Sequence, residues 1–387
     1  MRITELKLKN FRNYEDLELQ PDPGVNLFFG RNGSGKTNLL EAVHYAALGR
    51  SHRISNDANV VRYGEDAALS TVGIETALGQ REITVCFHPG EAQKKEILID
   101  GKTIRRFSDM MGCLRCVIFS PEDLGLIREG PSVRRRYLDM MISQISRKYF
   151  IALQQYRTGL DQRNAILRNL RTDPSAGKSL LGVFEEAMAE PAAEIIRERR
   201  RIVSHLSEIA RDTYLRISGT EEQLRIAYHS SVKEEDNLPE SLCRLLQENR
   251  EDDIRLGMTS VGPHRDDLIL TLDRNPMKQF SSQGQVRTAA LSMKLSQMKI
   301  LKDDSGEEPV LLLDDVMSEL DRKRRASLIR EIVSFQTFIT CADLKDIDPE
   351  KVSRIWQVSA PDGMAELAET GKQENVSRET LNETEGL

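Results

Sequence analysis

Two stretches carry residue types whose order and spacing suit phosphate and metal chemistry: GRNGSGKT at residues 30–37 and LLLDDVMSELD at residues 311–321. The first fits Gly-x-x-x-x-Gly-Lys-Ser/Thr, in which glycines let successive backbone N–H groups turn toward phosphate oxygens. It assigns nucleotide contacts to Gly30, Arg31, Asn32, Gly33, Ser34, Gly35, Lys36, Thr37 and Asn38, with Lys36 reaching the β and γ phosphates and the Thr37 hydroxyl holding Mg²⁺. In the second stretch two carboxylates end an aliphatic run, where one binds Mg²⁺ directly or through water and its neighbour orients the attacking water. That gives Asp314 to the metal and Asp315 to the water. Lys36 and Asp315 are the candidate catalytic residues, and ATP and Mg²⁺ the implied cofactors.

These side chains need a frame. Residues 25–29 read as a buried strand and 38–48 as the helix whose N-terminus faces the anion. Alternation predicts a strand at residues 3–10, another follows at 17–19, and three β-like runs between 67 and 104 predict an antiparallel meander. Beyond Ser120 and Pro121 helices dominate to about residue 257. Apolar residues from Leu138 to Leu160 and from Leu181 to Ile209 recur at heptad-like spacing, joined by a polar loop at 172–178, so the two segments are expected to be antiparallel neighbours, with a kink at Pro191; plain globular helix packing is the alternative. Past Gly257 the pattern predicts a strand at 268–272, a helix at 285–301, strands at 310–313, 337–340 and 354–358, and a helix near 322–333. The expected organisation is a split head at 1–120 and 258–360, a helical arm at 121–257, and a polar disordered tail at 361–387.

Composition sets bounds around this. The chain has 387 residues, 39% apolar and 30% charged, enough for a large core. Its longest aliphatic run is too short to cross a bilayer and the first residues lack a signal peptide's apolar stretch, which makes the cytoplasm the expected location and excludes a membrane partner. The net charge of −6 gives no hint of a nucleic-acid partner, but the last 27 residues hold seven acidic and two basic side chains, leaving the rest near −1. Local patches therefore matter. Arg134, Arg135 and Arg136 cluster at the start of the first helical seam, and Arg197 with residues 199–201 on the second; they are DNA-backbone candidates, with a solvated helix face as the alternative. Aromatic content of 5% argues for duplex rather than stacked single strands. Cys113 and Cys116 lack a second ligand pair for zinc and read as small apolar residues.

SSQGQ at residues 281–285 precedes the metal strand by some thirty residues, and SELD follows it. That order resembles the ATP-binding-cassette superfamily. The resemblance implies an ABC-type P-loop α/β head, split, with the antiparallel meander and an inserted helical short arm. It also implies that Ser282, Gly284 and Gln285 meet a nucleotide held by a second copy, so that ATP joins two heads. Further stretches, LKNFRNY at 8–14, GRSHR at 49–53, FSPEDL at 119–124, REGPSVRRRYLD at 128–139 and GPHRDDL at 262–268, resemble the RecF family of bacterial recombination mediators, short-armed relatives of the SMC ATPases. That likeness implies ATP-dependent dimerisation, binding to duplex DNA and double-strand to single-strand junctions, action with RecR and RecO to load RecA in repair and the SOS response, and a slow, DNA-stimulated ATPase. The rivals are a transporter's nucleotide-binding subunit, an SMC-like clamp with no mediator role, and an ATPase fused to a nuclease. Only a short polar tail follows the last strand, so no nuclease activity is expected. Three departures from the cassette pattern stand out: Asp315 replaces the usual glutamate, Thr340 and Cys341 stand where a switch histidine is expected, and FSPEDL replaces a glutamine loop, with Glu122 or Asp123 as its metal-sensing candidate. His264, Arg265 and Asp266 are expected to brace either the nucleotide or the head interface.

Overall fold

The computed structural model describes residues 1–53, 56–91, 94–173, 177, 179–232 and 237–370. They cluster into two compact units: described residues within 1–123, 216–218 and 297–370, and within 124–215 and 219–296.

The first unit holds two six-stranded sheets. One contains β3 (Val25–Phe29), β8 (Cys116–Phe119), β12 (Val310–Asp314), β13 (Thr337–Cys341), β14 (Arg354–Ser359) and β15 (Glu366–Glu369), in the order β15-β14-β3-β13-β12-β8. All neighbours are parallel except the β14–β15 pair. Parallel strands are covered on both faces and read as unbroken apolar runs, as in the fully buried VLLLD of β12. Phe28 on β3 stacks between Phe338 and Trp356 of the flanking strands, with ring centroids 6.0 and 6.4 Å away. The other sheet is antiparallel: β1 (Arg2–Phe11), β2 (Tyr14–Leu19), β4 (Ala68–Thr76), β5 (Gly79–Phe87), β6 (Lys95–Ile99) and β7 (Lys102–Thr103), in the order β2-β1-β4-β5-β6-β7. Asp100 and Gly101, both at positive φ, turn β6 into β7. Helix α1 (Lys36–Leu48) is buried on nearly every side, polar Lys36, Glu41 and His44 included, because it packs against strands of both sheets.

The second unit contains α2 (Gly125–Arg128), α3 (Pro131–Ile145), α4 (Arg147–Thr172), most of α5 (Leu180–Ser218), β9 (Leu224–His229), α6 (Leu238–Glu248), α7 (Arg250–Leu256), β10 (Asp267–Leu272), β11 (Asn275–Pro276), α8 (Met277–Phe280) and the first part of α9 (Gln283–Ser305). The contacts Lys148–Glu194, Gly159 against Met188, and Arg163–Glu185 run in opposite directions along α4 and α5, so the two helices are antiparallel. A Cβ at Gly159 would stand 2.5 Å from Met188 Cγ, which makes glycine the residue that permits the close approach.

The observed elements differ from the sequence reading in four places. The first seam is two helices, because the Ser146 hydroxyl accepts a hydrogen bond from Tyr149 N (3.1 Å) and caps α4 afresh. Residues 224–229, read as part of a helical region, form β9 and pair with β10 in antiparallel register. That pairing draws residues 258–296 into the helical unit, whereas the sequence reading groups them with the head. Finally, β15 lies inside the stretch read as a disordered tail: Leu367 pairs with Val358, and Glu369 accepts from Arg354 Nε at 2.7 Å. Residues 371–387 of that tail lie outside the described residues. The helix after β12, α10 (Arg322–Ile332), begins on Asp321, whose carboxylate accepts from Arg324 N at 2.9 Å.

Candidate functional site

Strand β3 delivers the chain into the loop at residues 30–35, and α1 leaves it at Lys36 with no side chain capping its first N–H groups. A helix start of this kind carries a partial positive charge and open donors, suited to an anion. Two glycines are obligatory on steric grounds. A Cβ at Gly30 would stand 2.0 Å from the Val358 carbonyl oxygen, and one at Gly35 (φ 114°) would meet Ala365 Cβ and Asn13 Oδ1 at 2.9 Å. Lys36 Nζ donates to the carbonyls of Gly30 (2.6 Å) and Arg31 (2.9 Å), so the ammonium lies along its own loop. Burial pushes its pKa down, against the pull of Asp315, Cys341 and Asp314. Arg31, Asn32 and Gly33 are exposed, and Ser34 is buried.

The second motif meets the first across 277 positions of sequence. Thr37 Oγ1 donates to Asp314 Oδ1 at 2.8 Å, and Thr340 Oγ1, at the end of β13, donates to the same oxygen at 2.7 Å. Burial raises the Asp314 pKa while the two hydroxyls pull it back. Asp315 turns into the left-handed region (φ 51°), its N–H donating to Thr340 Oγ1 (2.9 Å) and its carboxylate accepting from Ser318 Oγ (3.2 Å). These groups line a cavity of about 250 Å³, bounded by residues 32–33, residues 35–38, Arg53, Asp314, Asp315 and Thr340. Among the described residues no cluster of three or more His, Cys, Asp and Glu could hold a metal. Thr37 and Asp314 offer one hydroxyl and one carboxylate, a sparse donor set of the kind that a Mg²⁺ would complete with phosphate oxygens and water.

Several residues of the site escaped the motif reading. Asn13 donates from Nδ2 to the Ser34 carbonyl (3.2 Å) and accepts at Oδ1 from Asn38 Nδ2 (2.8 Å), while Tyr14 OH donates to the Gly35 carbonyl (3.1 Å). Asn13 lies in the β1–β2 turn and Tyr14 opens β2, and Arg12 of the same turn grips the buried Glu41 of α1 through two hydrogen bonds of 2.9 and 2.7 Å. Arg53 reaches Asn38 Oδ1 at 3.3 Å and lines the cavity. Thr340 takes the place of the expected switch histidine and ties both aspartates together. Of the metal-sensing candidates, Glu122 adds to the negative field at Asp314 while accepting from Ser120 Oγ (2.8 Å), and Asp123 accepts from Ser120 N (2.9 Å).

The remaining candidates lie in the second unit. Ser282 caps α9: its Oγ accepts from Gln285 N (3.3 Å), and Gln285 Oε1 accepts from Ser282 N (2.7 Å), a reciprocal capping box. Gly284 accepts from Thr288 Oγ1 at 2.8 Å. Ser282 and its neighbour Phe280 are exposed. Arg134 is spent on structure rather than on a surface patch. It is buried, with Nε and Nη2 on the two oxygens of Asp267 at 2.7 and 2.8 Å and Nη1 on the Leu126 and Glu129 carbonyls. Arg135 is half-buried and donates to the Asp266 carbonyl (2.8 Å); burial and the nearby Arg199 push its pKa down. Arg136 alone of the three is exposed. In the second cluster Arg199 is buried against Asp139 (2.8 Å) and Tyr149 OH (3.0 Å), and Arg197 and Arg201 face Glu194 and Glu198 on their own helix. His264 and Asp266 brace their own unit: His264 bridges Tyr156 OH (2.6 Å) and the Thr259 carbonyl (3.0 Å), and Asp266 accepts from Ser231 N (3.0 Å) and Tyr228 OH. Arg265 donates to the same Thr259 carbonyl at 2.8 Å.

The RecF/RecN/SMC N terminal domain family matches residues 2–362. The chain is 38% identical to a DNA replication and repair protein RecF of Clostridium tetani over 351 residues, 90% of this chain and 94% of that one. It is 40% identical to the protein of the same name from Lactobacillus delbrueckii subsp. bulgaricus over 362 residues, 92% and 94% of the two chains. A solved structure of the recombination mediator protein RecF-ATP in the RecFOR pathway superposes with a TM-score of 0.87 at 35% identity, covering 95% of this chain and 97% of that one. An Smc head domain with coiled coil and joint from Pyrococcus yayanosii shares the fold alone, at a TM-score of 0.58 and 14% identity over 99% of both chains. The α/β head of ABC type that the resemblance implied is thus the observed fold, and the chain belongs to the RecF/RecN/SMC N terminal domain family, among its RecF members.

Proposed function

We propose that this chain is an ATP-dependent DNA-binding recombination mediator of DNA replication and repair. The observation that carries the reading is the convergence of Lys36, Thr37, Asp314 and Asp315 on one cavity at an open helix start, with Thr340 Oγ1 donating to the Asp314 carboxylate and accepting from the Asp315 backbone N–H. The ATP-bound relative, with 35% of its sequence in common, supports ATP as the nucleotide. Thr37 and Asp314 would hold the Mg²⁺, which supplies charge neutralisation at the β and γ phosphates. Lys36 slides from its loop carbonyls to the phosphates, Asp315 orients water, and the backbone N–H groups of residues 33–37 hold the chain of phosphates in line. Asp315 is one methylene shorter than the usual glutamate, so hydrolysis is slow, which suits a switch stimulated by DNA.

Exposed Ser282, with Gly284 and Gln285, meets the triphosphate of a second copy, so ATP drives a homodimer. DNA contact is at the duplex backbone and at double-strand to single-strand junctions, with Arg136 as the candidate from the first cluster. The RecFOR pathway in which the solved relative acts supports RecR and RecO as partners, and RecA loading is the outcome that the family resemblance implies. No helix among the described residues is long and apolar enough to cross a membrane, and a cytoplasmic site of action is part of this reading. Sedimentation with and without ATP and gapped duplex, followed by addition of RecR, tests it. Lys36→Arg is expected to retain the fold and lose hydrolysis by about 100-fold; wild-type turnover in that variant would remove Lys36 from the mechanism.

A further inference from the structure

We infer that Glu222 is a positioning residue for the Ser282–Gln285 loop, tying its orientation to the end of the long helix α5. This rests on the reading that Ser282 meets a second copy's nucleotide. Glu222 stands between α5 and β9. Its Oε2 accepts from the buried Tyr214 hydroxyl on the last turns of α5 (3.0 Å) and from Thr220 Oγ1 (3.1 Å), while Oε1 accepts from Gln285 Nε2 at 2.6 Å.

The donor and acceptor chemistry leaves one arrangement. A carboxylate only accepts and a backbone N–H only donates, so the Gln285 amide must point Nε2 at Glu222 and Oε1 at Ser282 N. The Ser282 hydroxyl is set in turn by Gln285 N. A helix cap needs only the last two of these contacts. The bond to Glu222 is additional, and its negative charge, close to a helix start proposed to meet phosphate, opposes anion binding by Coulomb repulsion. What it contributes is a fixed amide, and through it a fixed hydroxyl, referenced to α5. A shift of Tyr214 is thereby passed through two side chains to the loop.

The test uses the full-length protein and a reversal of polarity. Gln285→Glu preserves the S-x-x-E capping box, so a role in capping alone expects no loss. With Glu222 in place, however, it sets two carboxylates against each other. Amide hydrogen exchange across residues 281–286 in the ATP-free protein is expected to rise about tenfold, and the ATP-induced dimer, followed by light scattering, to need about tenfold more ATP. In Glu222→Gln with Gln285→Glu, the new residue 222 amide donates to residue 285 while its oxygen still accepts from Tyr214 and Thr220. Both readouts are expected to return to within about threefold of wild type. Wild-type behaviour in Gln285→Glu, or a double variant no better than that single one, overturns the inference. A wild-type chain that stays single at saturating ATP sinks the shared-site reading and the functional role of Glu222 with it; the exchange data, which need no ATP, separate that failure from a failure of the tether.

Discussion

Asp314 receives two hydroxyl hydrogen bonds on one oxygen, yet burial still raises its pKa. The folded state therefore carries a carboxylate whose charged form its burial disfavours. Asp314→Asn keeps an acceptor for Thr37 and Thr340 and removes the charge. It is expected to abolish Mg²⁺-dependent hydrolysis while raising the melting temperature of the nucleotide-free protein by about 1 °C, for roughly 1 kcal/mol. The sign with pH follows from the raised pKa. The wild type recovers stability relative to the variant as pH falls through the folded pKa of Asp314, with full recovery below the ordinary carboxylate value of 3.8. Thermal melts of both proteins from pH 7 to pH 3.5 check this. The basic cluster divides at the same scale. Arg134→Ala strands the Asp267 carboxylate and is expected to cost about 3–5 kcal/mol, whereas Arg136→Ala at the exposed position stays within about 0.5 kcal/mol, measured by urea denaturation. That Lys36, Thr37 and Asp314 share one site was legible because each belongs to a motif of fixed linear spacing. Thr340 and Asn13 were not, because their roles exist only once β13 lies beside β12 and the β1–β2 turn reaches the loop.

At the scale of elements, periodicity found β3, β12, β13 and α1, whose apolar runs have single readings. Strand β9 escaped because six residues of weak alternation follow a 39-residue helix, and its partner lies forty residues further on. Its neighbourhood supplies the acid-sensitive point of the second unit. A carbonyl accepts only, so His264 Nε2 carries the proton toward Thr259 and Nδ1 accepts from Tyr156. Burial pushes the His264 pKa down from 6.5 to about 4. The folded state thus holds the ring neutral. Its contribution is complete above pH 6.5 and is lost as pH falls toward 4, where protonation is easier in the unfolded chain. His264→Gln keeps a donor and an acceptor without a titrating group, and is expected to flatten the decline in urea midpoint between those two values. A decline as steep as wild type's would assign the acid sensitivity elsewhere.

For the whole molecule, the phosphate loop and the metal strand are composed 277 residues apart and joined through one carboxylate oxygen. Resemblance supplied that pairing at the level of sequence, since no local pattern says which distant strand adjoins another. The sheet order has a consequence for how the protein is made. Strand β3 is synthesised almost first, but its two flanking strands, β13 and β14, are made nearly last. At about 5–20 residues per second, the ribosome spends roughly 15–60 s between them. During that interval Phe28 of β3 lacks both of the rings it stacks against in the finished sheet. Nascent chains halted at residue 300 are expected to pass through an ATP-affinity resin unretained, while released full-length chains bind. Retention of the halted chains would mean that the loop acquires its shape before its sheet exists.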